Sequence, residues 1–99
     1  MNQQAMLKKA RQLQQEMLET QKEIDATEFT ANVGPISLTM NGAREIIKLV
    51  IEKDYELASD EDRELLEDSV VAASSKLSKE ISDYTEEKMS KYKAFLGGF

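Results

Sequence analysis

The sequence contains no cysteine, no histidine and no tryptophan, and it has only one proline and four glycines. Without cysteine there is neither a disulfide framework nor a thiolate metal site, which makes the reducing cytoplasm the default compartment. Without histidine the commonest general base and most zinc ligands are also missing, so catalysis would rest on carboxylates, lysine, tyrosine or hydroxyls alone. No apolar run approaches the ~20 residues that span a bilayer. Met1-Asn2-Gln3-Gln4 lacks the apolar core of a secretion signal, so no membrane partner is expected. The glycines, Gly34, Gly42, Gly97 and Gly98, belong to neither GxxxxGK[ST] nor GxGxxG, and neither a nucleotide cradle nor any cofactor is expected.

What the chain does contain is charge. It has 99 residues, 32% charged and 40% apolar, with three tyrosines and three phenylalanines as its aromatics. A chain of this length buries one modest core, so residues 1–99 read as a single domain, with residues 97–99 as a short flexible tail. So few large apolar side chains favour further burial through self-association, and a homodimer is expected. The net charge of −6 is unevenly spread. Residues 1–15 carry Lys8, Lys9 and Arg11 and no acid, whereas residues 54–68 hold eight acids against Arg63 alone. From residue 69 onward Lys76, Lys79, Lys88, Lys91 and Lys93 outnumber Glu80, Asp83, Glu86 and Glu87, so both ends of the chain lean positive.

Periodicity supplies the architecture. Met6, Ala10, Leu13, Met17, Thr20 and Ile24 recur at helical spacing with no Gly or Pro before Gly34, which predicts one long amphipathic helix. Its apolar stripe is narrow, as in a coiled coil, and its partner is either the C-terminal helix or a second subunit. Met6 and Met17 read as packing residues in that seam rather than as ligands. The period then falls to two. Phe29, Ala31 and Val33 alternate with polar residues, Gly34-Pro35 turns the chain, and Ile36, Leu38 and Met40 alternate again. Asn41-Gly42 suits a tight hairpin because both positions tolerate positive φ, and a third strand is expected from near Arg44 to Ile51. A plain two-residue loop would set Leu38 opposite Glu45, a poor pair on a buried face, so a bulge is one way to shift the register. Apolar residues on both faces of that strand suggest cover from both sides, by helix or by a partner subunit. Ser59 then caps a second long helix with acids in its first turn, and Leu66, Val70, Ala73, Leu77, Ile81 and Tyr84 form its seam. The fold class is α+β, in the order α-β-β-β-α.

None of the reactive residue types forms a recognisable site. Asp60-Glu61-Asp62 with Glu64 lacks EF-hand spacing and reads as a capped, solvated helix start, so no metal site is expected. Ser74-Ser75 with Lys79 has no pocket or oxyanion donor implied by its surroundings, and no catalytic residue or small-molecule substrate is assigned. The basic turn Lys8, Lys9 and Arg11 suits phosphates, and three charges without interleaved aromatics equally suit a plain solvated helix surface, so the residues alone leave both readings open.

Across nearly the whole chain the order of segments resembles the YbaB/EbfC family of bacterial nucleoid-associated DNA-binding proteins. The segments are the Met6-Leu7-Lys8-Lys9-Ala10-Arg11-Gln12-Leu13-Gln14-Gln15-Glu16-Met17 helix, Thr39-Met40-Asn41-Gly42-Ala43 at the hairpin, and Val50-Ile51-Glu52 closing a strand. They continue with Leu65-Leu66-Glu67-Asp68-Ser69-Val70-Val71-Ala72-Ala73 and Glu86-Glu87-Lys88-Met89. The resemblance implies a tight dimer with helices projecting like tweezers, bound to duplex DNA in the nucleoid. It also implies DNA contacts from Lys8, Lys9 and Arg11 on the first helix and from Lys88, Lys91 and Lys93 on the last. The chain departs from the family pattern in its acidity and in lacking a Gly-rich N-terminal or Pro-rich C-terminal tail. The alternative function is a protein-interaction module that engages a DNA-repair or replication partner without touching DNA.

Overall fold

The structure, a computed structural model, describes residues 2–94; the tail expected at residues 97–99 lies outside the described residues. Helix α1 spans Gln3–Ala26 and begins at Asn2, whose side-chain oxygen accepts from the Ala5 N–H at 2.8 Å and so satisfies one of the helix's free donors. Strands β1 (Glu28–Val33), β2 (Ile36–Asn41) and β3 (Ile46–Ile51) form an antiparallel meander in sequence order. Helix α2 spans Asp60–Met89 and passes into a 3₁₀ turn at Ser90–Tyr92. The architecture is α+β in the order α-β-β-β-α.

The core forms where the period-two face of the sheet meets the period-3.6 face of α2. Phe29, Ala31, Ile36, Leu38 and Met40 point to one side of β1 and β2, and Ala73, Leu77 and Ile81 of α2 close over them. Val33, Leu66, Val70 and Tyr84 pack around this centre, and the Phe29 and Tyr84 rings meet edge to face at 5.3 Å. On the opposite face Thr30 and Thr39 stand across the β1–β2 pair and share a 2.9 Å hydrogen bond.

The hairpin between β2 and β3 carries the bulge that the pairing of Leu38 with Glu45 called for, and it differs from the sequence expectation in where the strand starts and in what Gly42 does. A bulge beside Thr39 and Met40 sets Leu38 opposite Leu49 and Met40 opposite Ile46, which keeps Glu45 off the apolar face. The strand accordingly starts at Ile46 rather than near Arg44, and Arg44 itself takes the left-handed conformation at φ 66. Gly42 is needed for contact rather than for φ, because a Cβ there would lie 1.8 Å from the Ile24 carbonyl oxygen where the turn presses against the end of α1. Within the single chain no helix covers β3: Ile46, Ile47, Leu49, Val50 and Ile51 are all exposed, Ile46 by 63%, because α2 lies over β1 and β2 and stops short of β3.

The start of α2 carries a reciprocal cap. The Asp62 N–H donates to the Ser59 hydroxyl at 3.2 Å, while the Asp62 carboxylate accepts from the N–H groups of Ser59 and Ala58 at 3.0 and 3.1 Å. The Tyr55 hydroxyl donates to the Asp62 carbonyl and fastens the preceding loop to the same turn. Burial first, and then the negative charge of Asp62, push that hydroxyl above the ordinary tyrosine range, so it serves as a neutral donor. Replacing Ser59 by Ala should lower stability by about 1 kcal/mol, read as a shift of the urea midpoint at unchanged slope. An unchanged midpoint would mean that Asp62 alone holds the turn.

Candidate nucleic-acid interface

The base of α1 is tied to the body, whereas its residues 3–9 are all exposed. Ile24 is the buried residue of the helix, and Thr20 shares a 3.1 Å hydrogen bond with the hydroxyl of Tyr92, itself only 2% exposed. That bond brings the 3₁₀ turn against α1 at Thr20 and leaves the helix N-terminal to it as an arm. The described chain is correspondingly elongated, at 72 × 21 × 13 Å.

The six basic residues singled out in the sequence therefore fall into two groups. Lys8 and Arg11, three positions apart, share one face of the arm and line a shallow groove with Gln4 and Leu7. Lys9 is turned roughly 100° from Lys8 by the helical step and lies on another face. All three are exposed. Lys88, Lys91 and Lys93 gather at the end of α2, beside Thr20. The Lys88 ammonium lies 5.4 Å from the Tyr84 ring centre and that of Lys91 5.2 Å from the Tyr92 ring centre, contacts that steady the side chains without neutralising them. Lys93 differs, since its ammonium sits 3.5 Å from the Glu86 carboxylate. The pair is largely exposed and contributes little to stability, but it offsets that lysine's charge. From Thr20 to Arg11 the helix rises about 14 Å, and at 100° per residue Lys9 lies on the Thr20 side of α1 whereas Lys8 and Arg11 face away from the junction.

Two residues outside that set organise the region. Tyr92 seats the junction on α1, and its only trace in the sequence is an aromatic residue within a charged tail. Arg44 reaches from the hairpin to α2, donating to the Ser78 carbonyl at 3.1 Å, the Ser78 hydroxyl at 2.7 Å and the Ser82 hydroxyl at 2.6 Å. Its bonds link elements 34 and 38 residues apart, a connection that spacing along the chain does not display. Among the described residues there is no cluster of three or more Asp and Glu side chains arranged to hold a metal ion. No described helix is long and apolar enough to cross a membrane.

Comparison with known proteins places this arrangement. The model of the YbaB/EbfC DNA-binding family matches residues 1–96. A nucleoid-associated protein of Agathobacter rectalis is 32% identical over 95 residues, covering 94% of this chain and 82% of that protein. A nucleoid-associated protein of Chloroflexus aurantiacus is 35% identical over 91 residues, covering 90% and 89%. Among solved structures, an uncharacterised protein of Helicobacter pylori superposes with a TM-score of 0.70 at 18% identity, over 88% of this chain and 91% of that one, a likeness of fold.

Since the Thr20–Tyr92 bond seats the lysine-bearing junction, removing it is informative. Tyr92→Phe should cost about 1 kcal/mol by leaving the Thr20 hydroxyl without its partner. Thermal unfolding would record the loss, and a Tyr92→Phe protein as stable as the unaltered one would show that ring packing alone seats the turn.

Proposed function

This chain belongs to the YbaB/EbfC DNA-binding family, and on that premise we propose that it is a nucleoid-associated protein of the bacterial cytoplasm that binds duplex DNA through phosphates as a homodimer. The reading takes the chain as one family-like domain with no catalytic role. The observation that carries it is the arm: a helix half that leaves the body with Lys8, Lys9 and Arg11 and no acid before Glu16. Lys88, Lys91 and Lys93 supply a second basic station at the junction. Cations of this kind contact phosphate oxygens and release condensed counterions, which gives affinity with little base discrimination.

The dimer reading rests on β3. Leu49 and Ile51 pair with Leu38 and Ile36, so their side chains share the face that α2 covers over β1 and β2. Yet Leu49 and Ile51 are 45% and 44% exposed, and the strand's outer edge has no partner among the described residues. Ile46, paired with Met40, is 63% exposed as well, so β3 presents the kind of apolar face and open strand edge that is normally covered. A second copy supplies that cover by burying the same surface on both sides of a two-fold axis.

Two experiments test this reading. Sedimentation equilibrium at micromolar concentration should give twice the chain mass of 11.2 kDa. Leu49→Lys should give a folded monomer, because a lone buried charge costs about 3 kcal/mol or more at an interface, roughly a hundredfold in association. A folded monomer of the unaltered chain would overturn the dimer. For DNA, a mobility shift across a salt series should show affinity falling steeply. Reversing the charge of Lys8, Lys9 and Arg11 together should weaken binding about equally on unrelated sequences and reduce the log–log salt slope by roughly 0.9 per lost phosphate contact. Undetectable binding of the unaltered protein at low salt would favour the protein-interaction alternative, and binding that survives the triple change would place the surface elsewhere.

A further inference from the structure

The arm presents two different faces. Met6, Ala10, Leu13 and Met17 fall within an arc of roughly 60° at 100° per residue, and Lys8 and Arg11 project from the far side of the helix. Met6 is 57% exposed, and Ala10, Leu13 and Met17 are each only partly covered. The tertiary hydrogen bond of α1 at Thr20 lies beyond this stretch. Lys9 and Glu16, seven residues apart, border the apolar stripe on the same side. Charge also divides along α1: its first half holds Lys8, Lys9 and Arg11, and its second half holds Glu16, Glu19, Glu23 and Asp25 against Lys22.

That division selects an occupant and its direction. A parallel copy of the helix would set basic half on basic half and acidic on acidic. An antiparallel copy sets basic on acidic at both ends, with Met6 near the second copy's Met17 and Lys9 facing the second copy's Glu16 on both sides of the two-fold axis. We propose that the Met6–Met17 stripe is a self-association surface separate from the β3 face, and that it pairs antiparallel with the same stripe of a copy from another dimer. The stoichiometry rests on the homodimer reading; the pairing itself does not depend on DNA. Within such a pair Lys9 is engaged in the seam, while Lys8 and Arg11 remain outward, so joined arms keep a phosphate-facing edge. Two DNA-bound dimers joined in this way would hold two duplex segments together. The seam is short, about four turns, so association beyond the dimer should rise with concentration rather than saturate at once.

The absence of cysteine from the chain provides a clean probe. Met6→Cys and Met17→Cys proteins, prepared as separate dimers and mixed without DNA under mild oxidation, should form the 6-to-17 disulfide well beyond its statistical share, because that bond needs Cα atoms within about 7 Å. The product should appear in species of four chains. Lys9→Glu should abolish the four-chain species, and Lys9→Glu combined with Glu16→Lys should restore it, with circular dichroism unchanged in both. Dominant 6-to-6 or 17-to-17 bonds, a purely statistical mixture, or 6-to-17 bonds confined to two-chain species would each overturn the proposal. So would a Leu13→Cys, Leu96→Cys protein that closes its disulfide within one chain, since the occupant would then be the chain's own C-terminal residues. DNA binding is measured separately, so its failure and the failure of the seam are distinguishable.

Discussion

The structure depends on the width of one helix. An α-helix with its side chains is about 10 Å across and neighbouring strands lie about 4.8 Å apart, so a single helix laid along a sheet covers two strands and no more. Here α2 lies over β1 and β2, where Ala73, Leu77 and Ile81 bury Phe29, Ala31, Ile36, Leu38 and Met40. The third strand extends the sheet past the edge of that cover. Its apolar residues are continuous with the core in register yet open to solvent, and everything argued about self-association at β3 follows from this mismatch.

The same economy governs α1. A chain of 99 residues with three phenylalanines and three tyrosines cannot bury both helices along their whole length. It seats only the base of α1, through Ile24 under the hairpin and Thr20 against Tyr92. Gly42 makes the first contact possible, because any side chain there would collide with the Ile24 carbonyl. Arg44 then locks the hairpin to α2 through Ser78 and Ser82. The arm is thus held at its root by two small contacts, at Ile24 and Thr20, and its residues 3–9 are all exposed.

Much of this was legible in the sequence, and the parts that were not share a reason. The seam Leu66, Val70, Ala73, Leu77, Ile81 and Tyr84 and the cap at Ser59 are local patterns, and the structure contains them as read. The inward residues of β1 and β2 are equally local. The exposure of β3 was not legible, because an apolar strand has the same composition whether a helix or another subunit covers it. The bulge was visible only as a bad pairing of Leu38 with Glu45, and its resolution required the sheet. The end of α2 at Met89 has no Gly or Pro to announce it and coincides with the turn that seats Tyr92 on α1. Of the candidate basic residues, the shared face of Lys8 and Arg11 follows from their spacing, whereas the proximity of Lys93 to Glu86 depends on how the helix ends.

The charge of −6 sets this chain against DNA at long range, and the layout of the structure decides how far it does. Helix α2 has 30 residues, about 45 Å of rise, between its acidic start and the junction that carries Lys88, Lys91 and Lys93. At physiological ionic strength the Debye length is about 8 Å, so the acids of residues 54–68 are screened from that junction by several such lengths. What a phosphate meets there is local: Lys88 and Lys91 on their tyrosine rings, Lys93 beside Glu86, and farther along an arm with no acid before Glu16. Lowering the salt strengthens each phosphate contact, but near 0.01 M it also lengthens the Debye length to about 30 Å. The acidic body then comes within reach of the junction lysines. Its repulsion opposes part of the gain at the arm, so the acids that cap and solubilise α2 also limit how tightly the basic edge holds a polyanion.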